Sequence, residues 1–314
     1  MKVWLIGSGT MSLSYAAVLR DLSADTLVIG RGETSAAKFR EATGLAVVTG
    51  GLDAFLATAP ALPDAAIVSV GVENLFATTA ALVRAGVPRV LVEKPGALDL
   101  ASLKTLRDLA AERGARVSIG YNRRYFASTR KAIELAQADG GFTSCSFEFT
   151  EWGHEIETLV KGPGVKERWL LSNSSHVIDL VFHLIGQPAE LHATTRGSLS
   201  WHPSAAIFTG SGLSDRGVPF AYHSNWDAPG RWGVEVLTRN LRMILRPMEA
   251  LQVMRRGSVA IEPVAIDDAI DKAFKPGLHR QTSDFLNGVD GALCSLDSQI
   301  SAWGSYCRIG AYDE

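Results

Sequence analysis

The feature that most restricts what this chain can fold into is a glycine pair, Gly7-Ser8-Gly9, set between an apolar run and a helical pattern. Val3–Ile6 has the unbroken apolar character of a strand buried on both faces. Met11–Leu22 follows with helical periodicity. A strand that reverses into a helix this abruptly needs main chain without a Cβ at the turn. The first N–H groups of the helix then point, unpaired, at whatever lies beyond. In a parallel βαβ unit such a turn cradles a pyrophosphate. The first glycine permits the tight turn, and the second lets the phosphate approach the backbone. Gly7, Gly9, Thr10 and Met11 are therefore the expected dinucleotide contacts. The third position of the fingerprint is Ser12, where Gly or Ala is usual.

Behind the turn, short apolar runs alternate with helical periodicity, as a sheet covered on both faces requires. Strands are predicted at Thr26–Ile29, Leu45–Val48, Ala65–Val70, Val90–Val92 and Val117–Ile119. Between them the pattern predicts helices at Ser35–Thr43, Asp53–Ala59 and Glu73–Ala85, and one capped by Asp99 and stopped by Gly114. After Gly120 the texture changes. Helices are predicted at Arg124–Ala138 and Ser175–Ile185, and Phe142–Trp152 alternates as a strand. Five strand-like pieces then follow between Ala189 and Leu245 with no helix among them, which predicts a mostly antiparallel sheet. Gln281–Val289 and Ser298–Arg308 are the expected closing helices. The chain thus reads as an α/β Rossmann domain over residues 1–120 and an α+β domain over 121–314, the two sharing a cleft.

Composition narrows the partners. A net charge of −2 gives no electrostatic case for nucleic acid. No apolar run approaches the roughly 18 residues of a membrane span, and the N-terminus leads directly into the first strand, so no signal peptide is expected. Three cysteines without metal-ligand spacing suit buried thiols in a reducing compartment. The expected location is cytoplasmic.

A site selective for NAD places Asp or Glu at the end of the second strand to hold the ribose 2′-hydroxyl. Here that place reads Gly30-Arg31-Gly32, and Arg31 suits a 2′-phosphate. NADP(H) is favoured, with NAD(H) the alternative.

Three further motifs coincide with the glycine turn: Glu93-Lys94-Pro95 after a strand, Gly120-Tyr121-Asn122-Arg123-Arg124-Tyr125 at the domain junction, and Ser175-His176-Val177-Ile178-Asp179-Leu180 opening a helix. Together they resemble the glucose–fructose oxidoreductase, inositol dehydrogenase and rhizopine-catabolism (Gfo/Idh/MocA) family. The resemblance implies an enzyme that moves a hydride between nicotinamide and a carbon of a sugar, amino sugar or polyol. It implies that Lys94 holds the reacting oxygen, on a turn fixed by a cis Pro95, and that His176 is the acid/base or a substrate contact. Val70, Gly71, Glu93 and Asn122 fall on its cofactor side, Tyr121 and Arg123 on its substrate side, and assembly into a homo-oligomer through the second-domain sheet is implied.

The chain departs from the family where many members carry an aspartate four residues before the histidine; here stands Ser172. Serine is no general base at neutral pH, so His176 with Lys94 is expected to handle the proton while Asn173 orients the substrate. Branches with this Asn-Ser-x-His form are associated with amino-sugar and surface-polysaccharide pathways. Ser69-Val70-Gly71 also stands where many relatives have Thr-Pro. Substrate contacts are expected from Trp152, Arg168 and Trp169, with His154, Glu155 and Lys166 beside them, and from the segment Trp226–Trp232. Asp179 and His183 share a helix face with His176, but their apolar neighbours predict packing, and no metal is expected. The alternatives to a dehydrogenase or reductase are an NAD-dependent glycosidase of the same fold and a non-catalytic cofactor-binding sensor.

Overall fold

Strands and helices alternate from the first residues of the computed structural model, which describes residues 1–313. They run β1 (Lys2–Ile6), α1 (Thr10–Asp21), β2 (Asp25–Ile29), α2 (Glu33–Thr43), β3 (Val47–Val48), α3 (Leu52–Leu56), β4 (Ala65–Val68), α4 (Leu75–Ala85), β5 (Arg89–Glu93), α5 (Leu100–Arg113) and β6 (Arg116–Gly120). The strands pair in parallel in the order β6-β5-β4-β1-β2-β3. The order reverses between β4 and β1, and in open α/β sheets the crevice at that switch point takes the ligand. Gly7 begins immediately beyond β1 and so stands at that crevice. Local signals act as expected: Asp99 accepts from the Ser102 N–H at 2.7 Å to cap α5, and Gly114 ends it in the left-handed region.

The second part runs α6 (Ala127–Ala138), β7 (Ser144–Glu148), α7 (Gly153–Thr158), α8 (Ser175–Ile185), β8 (Pro188–Arg196), β9 (Ile207–Ser214), β10 (Pro219–Asn225), β11 (Gly233–Leu237), β12 (Leu241–Leu245), β13 (Gln252–Arg255) and β14 (Ile261–Pro263). Its sheet has the order β14-β13-β12-β11-β7-β10-β9-β8 and is antiparallel except where β7 meets β10. In β10, Phe220, Tyr222 and Ser224 are buried while Ala221 and His223 are exposed, so one face is packed and the other open. The apolar helix α8 covers the packed face, where Phe182 meets Phe220 edge-on at 6.4 Å.

The chain closes with α9 (Ala269–Ala273), α10 (Leu278–Asn287), β15 (Cys294–Ser295) and α11 (Leu296–Gly310). The chain divides into two compact units that interleave in sequence. One unit comprises Met1–Asn122 with Asp271–Ser301; the other comprises Arg123–Ile270 with the residues from Ala302 on. The reason is hydrophobic burial. Leu278, Phe285 and Leu286 of α10 join Tyr15, Val18 and Leu19 of α1 in one apolar core, and β15 adds an antiparallel edge to β6. Two helices are also displaced from expectation. Asn122–Tyr125 forms a tight 3₁₀ turn, so α6 starts only at Ala127, and α7 occupies the loop after β7.

Candidate functional site

In the first unit the two glycines of the turn have different physical reasons to be glycine. Gly7 sits at φ +119°, and a Cβ there would lie 2.6 Å from the Ser69 carbonyl oxygen. At Gly9 a Cβ would meet no protein atom within 4 Å, so its open side is space for a ligand. Gly9 is also the N-cap of α1; no side chain caps that helix and its first turn, which holds Thr10 and Met11, carries no acid. The N–H donors are therefore left for an anion. The departure at Ser12 is structural. Its buried hydroxyl lies 2.8 Å from the Ser69 hydroxyl and ties α1 to the end of β4.

A cavity of about 660 Å³ opens from this turn, lined by Gly7, Gly9, Arg31, Ser35, Val70 and Gly71. At its β2 end the Ser8 hydroxyl donates to Ser35 (3.0 Å), whose hydroxyl donates to the Gly32 carbonyl (3.0 Å). Glu33 is turned towards Arg40 and Thr49. Asp53 of α3 lines the same cavity and escaped the sequence reading, which looked for a carboxylate only at the end of β2. Its signal was the preceding Gly50-Gly51 pair after β3, which lines the same cavity. The uncapped helix start and the open cradle at Gly9 fit a dinucleotide.

Lys94 sits on a turn braced from two sides. The Lys94–Pro95 bond is cis, as the motif implied, and the Gly96 N–H closes the turn onto the Glu93 carbonyl at 3.0 Å. Gln299 donates to the Pro95 carbonyl at 3.1 Å. The Tyr15 hydroxyl donates to Glu93 Oε1 at 2.7 Å, and burial, followed by the Glu93 charge, raises that hydroxyl's pKa well above the ordinary value. Glu93 is thus anchored to α1. Asn122 is buried with its amide donating to the Pro276 carbonyl at 2.8 Å, and Tyr121 is fully buried. Thr10, Met11, Glu93, Lys94 and Asn122 are not part of the cavity wall at the glycine turn.

The second unit holds a cavity of about 380 Å³ whose wall includes Arg123, Glu151, Trp152, Trp169, Asn173, Arg231 and Trp232. Two guanidinium groups lie on tryptophan faces, Arg123 over Trp232 at 4.7 Å and Arg231 over Trp152 at 5.0 Å. The His176 ring is 6.4 Å from that of Trp232. Asn173 reaches the cavity from a wide π-type turn, Leu170–Ser174, that leads into α8; such turns recur at functional sites. Ser172 on the same turn is structural: its hydroxyl donates to the Val165 carbonyl at 2.8 Å.

Other expected contacts lie elsewhere. Arg168 stacks on Tyr312 at 5.6 Å, and Tyr121 and Arg168 are not in the cavity wall. Lys166 donates to the Glu157 carbonyl, and His154 is exposed beside Glu155. Trp226 is core: it stacks on Trp201 with rings 7° from parallel and donates to the Phe149 carbonyl. Its segment contributes Arg231 and Trp232 to the cavity instead. The residue missed entirely is Glu151, a buried carboxylate in the cavity wall that accepts from the Asn173 amide at 2.9 Å and the Ser174 hydroxyl at 2.6 Å. An acid directly before Trp152 at the end of an alternating strand was the available signal.

Asp179 and His183 are packing groups. The Arg124 guanidinium binds both Asp179 oxygens, at 2.8 and 2.6 Å. Burial, then the charges of Arg124 and Arg216, push the His183 pKa down to about 3. Among the described residues no group of three His, Cys, Asp or Glu could hold a metal, and no helix is long and apolar enough to cross a membrane.

Residues 1–121 match the profile of an oxidoreductase family with an NAD-binding Rossmann fold, Gfo/Idh/MocA. A search of curated protein sequences returned no match. Among solved structures, UDP-N-acetylglucosamine 3-dehydrogenase GnnA from Acidithiobacillus ferrooxidans aligns with a TM-score of 0.77 at 18% identity, covering 99% of this chain and 97% of that one. WlbA dehydrogenase from Bordetella pertussis, solved with NADH and UDP-GlcNAcA, gives 0.74 at 14% identity, covering 98% and 95%. A levoglucosan dehydrogenase solved with NADH and levoglucosan gives 0.76 at 14%, with the same coverage. At such identities the likeness establishes the two-part fold.

Proposed function

We propose that this chain, whose residues 1–121 match the Gfo/Idh/MocA family of NAD-binding oxidoreductases, is a member of that family and transfers a hydride between nicotinamide and a carbon of a sugar, amino sugar or related polyol. The observation that carries this is the turn at Gly7 and Gly9, whose uncapped helix start and open cradle face a cavity large enough for a dinucleotide. Bound there, the nicotinamide supplies or takes the hydride. The chain's residues do the rest. The α1 N–H groups hold the pyrophosphate. Lys94 is assigned the positive charge that steadies the reacting oxygen as it gains negative character. His176 is assigned the exchange of the hydroxyl proton, a role the imidazole of histidine can fill. Asn173, Arg123, Trp152 and Trp169 hold the substrate, in a cavity where flat rings and polar groups suit a sugar. The three neighbours named above act on or bind sugars and sugar nucleotides, which supports the same class.

We favour NADP(H), because Arg31 stands at the end of β2 where a carboxylate would select NAD. Titrating NADPH and NADH into the protein by calorimetry tests this. NADPH is expected to bind more tightly, and Arg31→Ala to cost it about 10-fold or more while leaving NADH little changed. Tighter NADH binding indifferent to Arg31 would reverse the cofactor assignment and turn attention to Asp53. Loss of binding for both would end the oxidoreductase reading.

Turnover is tested by following 340 nm absorbance across a panel of sugars and polyols. Lys94→Met is expected to lower kcat by about 100-fold or more on whichever sugar is turned over, with cofactor affinity retained. Glycoside hydrolysis without a net absorbance change would point to the glycosidase alternative, and full activity in the Met variant would remove Lys94 from the mechanism. The protein is assigned to the cytoplasm, where its three buried cysteines stay reduced. It is also assigned a homo-oligomeric state through the open face of the second sheet; a monomer mass in light scattering would refute that.

A further inference from the structure

We infer that Tyr312 is a positioning residue for the substrate cavity: its hydroxyl braces the wide turn that carries Asn173 into the cavity wall. The inference rests on the proposal that the cavity of the second unit holds the substrate. Around this turn the backbone donors run out of step. The Trp169 N–H donates to the Lys166 carbonyl at 3.1 Å, and the Ser172 N–H to the Arg168 carbonyl at 2.9 Å. Between them the Leu170 N–H donates out of the turn altogether, to the Tyr312 hydroxyl at 3.1 Å. Leu170 is fully buried, so this N–H would cost free energy if left unmet.

The hydroxyl is itself held in one orientation. His202 Nδ1 lies 2.7 Å from the Ala205 carbonyl, which can only accept, so Nδ1 carries the proton. Nε2 is then a lone pair 2.7 Å from the Tyr312 oxygen, and the hydroxyl donates to it. The oxygen is left as acceptor for the Leu170 N–H. Donation therefore runs in one direction, from Leu170 through Tyr312 and His202 to Ala205. Burial holds the His202 pKa below the ordinary value, which keeps the ring neutral and the direction fixed. The ring of Tyr312 is placed by α11: its N–H donates to the Cys307 carbonyl at 3.0 Å, and the Arg168 guanidinium lies over the ring.

At the far end of the turn, Asn173 and Ser174 donate to Glu151. Without the hydroxyl, the acceptor that an α-helical register offers Leu170 is the Lys166 carbonyl, four residues back. Taking it would tighten the turn and rotate Asn173 away from the wall.

The test uses Tyr312→Phe in the full chain, which removes the oxygen and keeps the ring. Glucose, N-acetylglucosamine and myo-inositol are the probes, with binding read by saturation-transfer NMR and turnover at 340 nm. Affinity for the best wild-type probe is expected to fall about 10-fold, as a rise in KM larger than any fall in kcat, with cofactor affinity unchanged. In an Asn173→Ala background the same change is expected to cost less than about 3-fold, because the side chain it positions is gone. Linkage requires the reverse effect in the wild type. Saturation with the probe is expected to slow hydrogen exchange at the Leu170 amide by about the same 10-fold. Nitrogen-15 spectra are expected to show His202 Nε2 unprotonated.

A protonated Nε2, or Leu170 exchange that the probe leaves unchanged, would overturn the inference even if the Phe variant did not fold. An equal loss in both backgrounds would mark Tyr312 as merely structural and overturn it too. If no probe binds the wild type while the reduced cofactor does, the sugar reading fails and this inference fails with it. If probes bind and the Phe variant is indifferent, only the role of Tyr312 falls.

Discussion

Replacing Gly9 by valine is expected to weaken reduced-cofactor binding by about 100-fold or more, with the melting temperature within a few degrees of wild type. Gly9 has φ −90° and ψ −172°, extended backbone that valine adopts without strain. No protein atom lies within 4 Å of the position its Cβ would take, so the fold loses little beyond a weaker N-cap, about 1 kcal/mol. The added methyls occupy the space a pyrophosphate needs to reach the N–H groups of α1. A factor of 100 in Kd is about 2.7 kcal/mol, less than the loss of several such hydrogen bonds to an anion would cause. Gly7→Ala is expected to do the reverse, lowering stability first by about 1–3 kcal/mol. Its φ of +119° excludes a side chain, and the new Cβ would press on the Ser69 carbonyl. Calorimetry and thermal unfolding on the two variants separate these outcomes. Wild-type affinity in Gly9→Val would place the pyrophosphate elsewhere and undo the cofactor assignment.

The difference between those glycines shows where sequence reasoning reaches and where it stops. The turn itself was legible, because strand, glycine pair and helix are consecutive and local physics decides them. The same holds for the Asp99 cap of α5 and for α8, whose observed limits, Ser175–Ile185, match the expected ones. The parallel sheet followed from alternation. The second sheet followed from strands without intervening helices, although β13 and β14 went unrecognised: Ile261–Pro263 is wholly exposed and carries no buried period to detect.

Partners far apart in sequence were not legible. α10 is strongly amphipathic, but nothing along the chain says that Phe285 and Leu286 complete the core beneath α1. Trp226 and Trp232 stand six residues apart in one polar, glycine-containing segment; one stacks on Trp201 in the core and the other backs the cavity. Glu151 is joined to Asn173 across 22 positions, so its burial exists only once the segment after β7 and the π-type turn are brought together. Asp53 was missed for another reason: a carboxylate was sought only at the end of β2. Where two motifs of the sequence do meet, their meeting explains a residue neither motif explains alone, and Arg124 with Asp179 is that case.

Asp179→Ala is expected to destabilise the protein by about 3–5 kcal/mol, the usual cost of leaving one partner of a buried ion pair uncompensated. Arg124 and Asp179 expose 8% and 4% of their side chains, and the guanidinium grips both carboxylate oxygens. Burial raises the Asp179 pKa while Arg124 opposes the rise, so charge and desolvation are balanced only while the pair is intact. The pair links the turn after β6 to α8, fixing a helix on which His176 lies three residues before Asp179, on the same face. Arg123, its neighbour in sequence, faces the cavity over Trp232, so anchoring Arg124 also places Arg123. Urea unfolding should show the loss as a lower midpoint with unchanged slope. Arg124→Met with Asp179→Leu, which removes both charges, is expected to regain most of the stability, while turnover stays impaired because the fork that orients α8 is gone. A loss below about 1 kcal/mol in the single variant would mean that water reaches Arg124, and the pair would then have no claim to setting the orientation of α8.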